Sequence, residues 1–298
     1  MEYQEFLEEV RKGIEQSLKN GCSAAIHKVL KNNAVCMHGL VVMEKGESIS
    51  PTIYLEPFYE KLKEGDDFEQ ILKEILLVYE ESRLKEHVDI SFFTDYEKIR
   101  ERLFHKLINY EANKELLKLV PHRRFLDLAV VPYCLINNQA VGSASILVHH
   151  THMNMWGIDE TELMQEAERN TRETLGYEIV ALRELLEEMM PEEEDKEIPG
   201  EEIKMYVLSN LTKLHGAVCM TYEDVLVKFA EQLNSDLYIL PSSIHEVLLV
   251  PAADNYRADR LTEMVREVNS TQVETEDMLS NHAYLFKKEG GFTELLEA

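Results

Sequence analysis

The chain has 298 residues, of which 45% are hydrophobic and 29% charged, with 56 acidic against 31 basic residues and a net charge of −25. That length suits two or three modules, and the composition is that of a folded globular protein. So large an excess of acid argues against nonspecific tracking of nucleic-acid phosphates and against docking on an anionic membrane, because both need clustered Lys and Arg.

Tyr3, Phe6, Leu7, Val10, Ile14 and Leu18 recur at helical spacing, and Asn20-Gly21 supplies a stop, so the spacing predicts an opening amphipathic helix. From Ser23 to Tyr59 the period changes. AAIHKVL, AVCMHGLVVME and PTIYLEPFY are rich in β-branched and aromatic residues and read as a strand meander. Asp67 and Gln70 have capping-box spacing ahead of a helix carrying Phe68, Ile71, Leu72, Ile75 and Tyr79. Thr94 and Glu97 have the same spacing and predict a second helical stretch, interrupted around Asn109 to Asn113 and ending before Pro121.

FLDLAVVPYCLIN and AVGSASILVHHTHMNMW then read as paired strands. Asp159 and Glu162 cap a helix that Gly176 stops, and a short helix with Leu182, Leu185, Leu186 and Met189 runs to Pro191. Pro191 to Glu202, PEEEDKEIPGEE, is too charged to pack and reads as a linker or exposed loop. Beyond it KMYVLSN and GAVCMTY look like strands, Asp224 to Leu233 and Asp259 to Val268 like helices, and Met278 to Phe286 like a last strand or helix. LYILPSSIHEVLLVP, Leu237 to Pro251, places two apolar runs around a polar turn and predicts a hairpin. The string AVCM occurs at Ala34 to Met37 and again at Ala217 to Met220, too short a match to establish a repeat.

The strands follow one another rather than alternating singly with helices, which favours an α+β fold with largely antiparallel sheets over a doubly wound parallel sheet. The expected modules are residues 1–118, 119–190 and 203–298, with the acidic segment 191–202 between the last two. Cys22, Cys36, Cys134 and Cys219 form no CxxC pair and read as reduced, mostly buried thiols. With an acidic N-terminus unlike a secretory signal and no apolar run near the ~20 residues of a membrane span, a soluble cytoplasmic protein is expected.

The turn of the hairpin holds Ser242, Ser243, His245 and Glu246, the residue types of a hydrolase: nucleophile, base and carboxylate. Neighbours along an extended chain point to alternate sides, however, and no G-x-S-x-G elbow is present, so turn formation and capping account for the cluster more simply. His150 and His152, in HHTHMN, would share one strand face ~6.5–7 Å apart and could meet a metal ion. A third ligand would have to come from His38, His245 or an acid. Arg123 and Arg124, beside His122, form the tight basic cluster of the chain and could receive an anion through their guanidinium forks. Asp127, inside an apolar strand, would be their natural ion-pair partner. Walker-type, G-x-G-x-x-G and H-E-x-x-H patterns are absent, so no nucleotide cofactor is supported, and no basic helix suits a DNA groove.

KNNAVCMHGLVV with SPTIYLEPFYEKLKEG, INYEANKELLKLVPHRRFLDLAVV, and LYILPSSIHEVLLVP resemble an uncharacterised family, a domain of unknown function from gut anaerobic Firmicutes. The phrases span most of the chain, and the resemblance implies a soluble bacterial protein with no assigned reaction. The residues themselves point to a binding or regulatory protein acting on a protein or small-molecule partner. A hydrolase or metal-dependent enzyme is the alternative. An acidic mimic of nucleic acid toward a basic partner is a third reading, weakened by the interleaving of bases among the acids.

Overall fold

The computed structural model describes residues 1–18, 22–44, 50–82, 91–138, 142–189, 204–241, 243–252 and 258–296; the acidic segment 191–202 and Ser242 lie outside them. The chain forms two compact units, residues 1–99 with 136–144, and residues 100–135 with 145–298.

The first unit opens with α1 (Tyr3–Ser17), followed by β1 (Cys22–Leu30), β2 (Cys36–Glu44) and β3 (Thr52–Tyr54), which form an antiparallel sheet in the order β1-β2-β3. Next come α2 (Glu56–Glu64), α3 (Phe68–Ser82) and the single turn α4 (Tyr96–Ile99). The helical stripe of α1 and that of α3 close over Leu40, Val42 and Ile53, so that Phe6, Val10, Ile14, Ile71 and Ile75 lose almost all contact with water. Each such side chain contributes at most ~1.5–3 kcal/mol against an extended reference chain. Asp67 starts α3 as its spacing predicts, its Oδ2 accepting the Gln70 N–H at 3.2 Å. The third expected strand is cut short. Pro57 lies in the first turn of α2, where its missing N–H costs nothing, and the helix ends at Gly65 with φ 111°.

The second unit contains β4 (Leu103–Asn109), α5 (Lys114–Leu117), β5 (Arg123–Phe125), the part of β6 (Leu128–Asn138) up to Leu135 and the part of β7 (Gly142–Leu147) from Ser145, with β4-β6-β5 in that order and β7 also on β6. α6 (His150–Trp156), α7 (Glu160–Asn170), β8 (Glu178–Ala181), α8 (Leu182–Met189), β9 (Tyr206–Ser209) and α9 (Glu223–Leu233) follow. The chain continues with β10 (Leu237–Leu240), β11 (Val247–Pro251), α10 (Ala258–Thr271), β12 (Ala283–Lys287) and β13 (Gly291–Leu296). Six strands form a second sheet in the order β13-β12-β10-β11-β9-β8. The expected hairpin is β10 and β11, paired from Leu237↔Pro251 to Leu240↔Leu248. Its Ile239, Val247 and Leu249 join Leu107, Leu128 and Val130 of the smaller sheet in one core. The fold is therefore α+β, and every described strand register is antiparallel.

Two stretches differ in type from their sequence reading. The capping signal near Thr94 produces one turn of helix, with Asp95 Oδ1 accepting the Glu97 N–H at 3.2 Å, and the chain then becomes β4. β4 is buried along nearly its whole length, so it lacks the alternation that marks a half-buried strand. GAVCMTY is a 3-10 turn, Gly216–Thr221, not a strand, with Gly216 to Met220 all buried. A short run that is apolar on every side carries no period to separate strand from helix. AVCM thus runs from the end of a 3-10 turn (Asn32–Ala34) onto β2, which takes Cys36 and Met37, in the first unit and lies inside this turn in the second. No helix among the described residues is long and apolar enough to cross a membrane.

Candidate functional site

One group of polar side chains of the second unit gathers at the end of β9. Ser209 closes this strand, fully buried, and its Oγ donates to the His245 carbonyl at 2.8 Å. Asn210 then organises the following loop: its Nδ2 donates to the Leu214 carbonyl at 2.8 Å, and its Oδ1 accepts from the Thr212 N–H at 3.2 Å and the Thr212 hydroxyl at 3.0 Å. The loop delivers His215 at φ 57°, a left-handed conformation that a non-glycine residue holds only when its surroundings determine it. Gly216 is obligatory for close approach, since a Cβ there would lie 2.1 Å from Ser209 Oγ, 2.5 Å from the Asn210 nitrogen and 2.6 Å from the His245 oxygen.

His245 reaches the same place from the hairpin turn. Its imidazole stacks on that of His215, centroids 5.6 Å apart and planes within 11°. Its Nδ1 accepts the His215 N–H at 3.3 Å, which leaves the proton of the neutral ring on Nε2, 3.5 Å from Asp277 Oδ1. On the other side of His215, Tyr133 of β6 makes an edge contact at 5.2 Å between centroids. The register Phe104↔Tyr133 and Lys106↔Val131 makes Lys106 a diagonal neighbour of Tyr133 on the same strand pair, with its Nζ 5.9 Å from the Tyr133 ring centroid.

The electrostatics of this group are set by burial. Burial pushes the Lys106 amine down to about 8, against a smaller upward pull from Asp277. Among the described residues no carboxylate forms an ion pair with it, although the chain has 56 acids. His215 is driven to about 3 by burial and then by the charges of Lys106 and His245, and its Nδ1 has no hydrogen-bond partner among the described residues. Tyr133, 1% exposed, is raised well above the usual phenol range by burial. On β4 His105, likewise 1% exposed and with neither ring nitrogen bonded among the described residues, falls to about 3 through burial and then Arg123. The chemistry available is a partly deprotonated primary amine near neutral pH, an imidazole–carboxylate pair and a phenol, in one half-buried cluster.

Of the residues singled out in the sequence, Ser243 and His245 enter this cluster. Ser243 Oγ accepts the His245 main-chain N–H at 2.9 Å, so it fixes the turn and does not bond to the imidazole. Glu246 is half-buried and makes no bond to the His245 ring among the described residues; the carboxylate partner is Asp277 instead. Ser242 lies outside the described residues.

The paired-strand reading of HHTHMN is corrected. β7 stops at Leu147 and α6 begins at His150, whose N–H donates to the Leu119 carbonyl at 3.0 Å, while Met153 and Trp156 turn inward one helical step apart. Two residues apart on a helix, His150 and His152 point in nearly opposite directions, so the shared strand face is gone. His152 Nδ1 accepts the His149 N–H at 3.1 Å. Among the described residues no three His, Cys, Asp or Glu side chains are grouped so as to hold a metal ion.

Arg123 pairs with Glu168 at 3.3 Å, whereas Arg124 donates to the Leu126 carbonyl at 3.1 Å and lies 4.5 Å over the Tyr110 ring. Neither holds Asp127, whose carboxylate accepts from Tyr284 Oη at 2.6 Å and Ser280 Oγ at 2.8 Å. The tail folds back as β12 and supplies neutral donors to this carboxylate.

Lys106, Tyr133, His215 and Asp277 carried no warning as a group. The available signals were the pair His105-Lys106 inside the apolar run LFHKLIN and the loop dipeptide His215-Gly216.

The first unit has its own tyrosine–histidine–acid group, built in the opposite manner. Tyr3 Oη donates to Glu56 Oε1 at 2.7 Å, the His38 N–H donates to the same oxygen at 2.7 Å, and His38 Nδ1 lies 3.1 Å from it and 3.0 Å from Tyr3 Oη. Burial pushes Glu56 up, but these bonds outweigh it and hold the carboxyl below its ordinary value.

A model of a family of unknown function (DUF5688) matches residues 3–288, nearly the whole length. No curated protein and no solved structure matches the chain.

Proposed function

The chain belongs to the DUF5688 family, which carries no assigned activity, and from that premise we propose that its second unit binds a small acidic molecule at Lys106. One observation carries this reading: a half-buried amine without an ionic partner among the described residues, within a protein of net charge −25. Desolvating an ammonium is costly, and a chain so rich in carboxylates could have paired it internally. Leaving it open suits a ligand that brings the countercharge. Tyr133 and the stacked His215 and His245 gather three rings on one side of this group, and Asp277 keeps the His245 proton on the ring nitrogen beside it.

The serine hydrolase reading is weaker, because Ser243 Oγ is committed to the main chain of its own turn. A cytoplasmic setting is part of the proposal and is supported by four free cysteines.

The test is nuclear magnetic resonance titration of the histidine ring signals with acetate, phosphate and pyruvate. One or more of these should move the His215 and His245 signals in the wild type and not in Lys106→Met. Equal shifts in both proteins, or none in either, would end the proposal.

A further inference from the structure

We propose that Lys106 is a nucleophile that condenses with the carbonyl carbon of a small oxo acid or aldehyde to form an imine. The inference rests on the reading of Lys106 as a ligand-binding residue and deepens it by naming the ligand class.

The geometry supports it in three ways. Lys106 projects from the middle of β4, a strand buried on both faces and held by seven register pairs to β6, so its stem is rigidly mounted. The groups gathered around the amine come from separate elements: the Tyr133 ring of β6 has its centroid 5.9 Å from Nζ, His215 of the loop after β9 lies edge-on to that ring at 5.2 Å, and the charge of Asp277, in the segment before β12, acts on the amine. His245, which stacks on His215, holds its Nε2 proton toward Asp277 and can pass a proton at the edge of the cluster.

An amine in such surroundings is a free base more often than a surface lysine, which is the condition for attack on a carbonyl. The unshared pair on Nζ forms the C–N bond while the carbonyl π electrons move to oxygen, which takes a proton, giving a carbinolamine. Nitrogen loses a proton, the hydroxyl leaves as water after protonation, and the C=N bond forms. No oxidant or reductant is consumed, and water is the leaving group. The His245–Asp277 pair is the proton carrier for the dehydration. A carboxylate on the ligand would keep the countercharge role assigned above until the amine is consumed.

The experiment incubates full-length protein with pyruvate, and separately with glyceraldehyde, in the presence of sodium cyanoborohydride, followed by intact mass measurement and peptide mapping. The expected result is one reduced adduct per chain, mapped to Lys106, forming faster as pH rises through about 8, the value to which burial brings this amine. Lys106→Arg keeps the cation but forms no imine, so it should show no adduct at position 106 while still responding to acetate in the histidine titration. Asp277→Asn should slow adduct formation several-fold without preventing it.

Adducts spread over exposed lysines with no preference for Lys106 would overturn the proposal. If pyruvate moved the histidine signals of the wild type and of Lys106→Arg alike and no adduct were trapped, the imine would fall while anion binding stood. Absence of both adduct and shifts would remove both readings.

Discussion

Each unit gathers a tyrosine, histidine and acid, but in opposite states of completion. In the first, Tyr3, His38 and Glu56 bond to one another at 2.7–3.1 Å, so their polar capacity is spent on holding α1, β2 and α2 together. In the second, Tyr133, His215, His245, Asp277 and Lys106 are neighbours joined by ring contacts and two longer polar contacts of 3.3 and 3.5 Å. The same residue types therefore make a structural clasp where they satisfy one another and, where they do not, leave the open group to which the proposed binding is assigned. Burial with incomplete satisfaction is costly, and it persists where rigid surroundings enforce it.

The largest test of that enforcement is Gly216→Ala. The added methyl would meet two main-chain atoms at 2.5 and 2.6 Å, neither of which can move without disturbing β9 or the hairpin turn. A loss of about 3 kcal/mol or more is expected for such overpacking. Trp156, the single tryptophan, lies in the second unit, so its fluorescence during urea unfolding reads that unit directly. The first unit should keep its wild-type transition, read from the side-chain resonances of Tyr3 and His38. A wild-type midpoint in the tryptophan signal would show that the loop is not clamped.

Acid should separate the two clusters next. His105 and His215 are held near 3, below the ordinary histidine value of 6.5. A group with a depressed pKa binds fewer protons folded than unfolded between those limits, so stability rises with pH across that window. The contribution is complete above 6.5 and is lost as pH falls toward 3. Together the two rings should cost the second unit on the order of a few kcal/mol over this range. Urea midpoints read by Trp156 at a series of pH values check this, and His105→Phe should flatten the decline. A curve unchanged by that substitution would mean His105 titrates normally.

Tyr3→Phe is the matching break in the first unit. It removes a donor from Glu56 and a contact from His38, and should destabilise that unit by ~1–2 kcal/mol. The Glu56 carboxyl should move up, since the Tyr3 bond helps to hold it down. Carbon-13 titration of the glutamate side chains gives the second readout. The ligand response of the second unit should be untouched.

How far these clusters were legible in the sequence follows from how each is assembled. α1, α3, α7 and the hairpin Leu237 to Pro251 announce themselves through helical stripes, capping residues and paired apolar runs, all of which act within a few residues. His245 was visible because it sits in a polar turn between such runs. Its partners were not, since Lys106 comes from a strand whose two buried faces erase its period, and Asp277 from a loop before the tail strand. Ser243 and Glu246 drew attention by adjacency, yet the turn spends the serine on its own main chain and the carboxylate beside the His245 ring is Asp277. His150 and His152 depended on a strand assignment, and moving the strand end to Leu147 removed their common face.

The smallest expected effect on stability belongs to the residue placed at the centre of the proposed function. Lys106→Met substitutes an apolar chain of similar length for an amine that burial opposes charging. Below pH 8 the folded wild type bears the full cost of that buried charge, so the variant should be as stable as the wild type or more stable by about 1 kcal/mol. Between about 8 and the ordinary lysine value of 10.5 the unfolded chain holds a proton that the folded chain has released, so the wild type alone should gain stability as pH rises. The two proteins should thus converge at alkaline pH, and tryptophan-monitored urea midpoints at pH 7, 8.5 and 10 would show it. A variant clearly less stable than wild type at pH 7 would mean that Lys106 serves the fold as Tyr3 does, and the contrast between clasp and open group would be lost. A variant that is stable yet blind to ligand would separate what the protein needs in order to fold from what it keeps for binding.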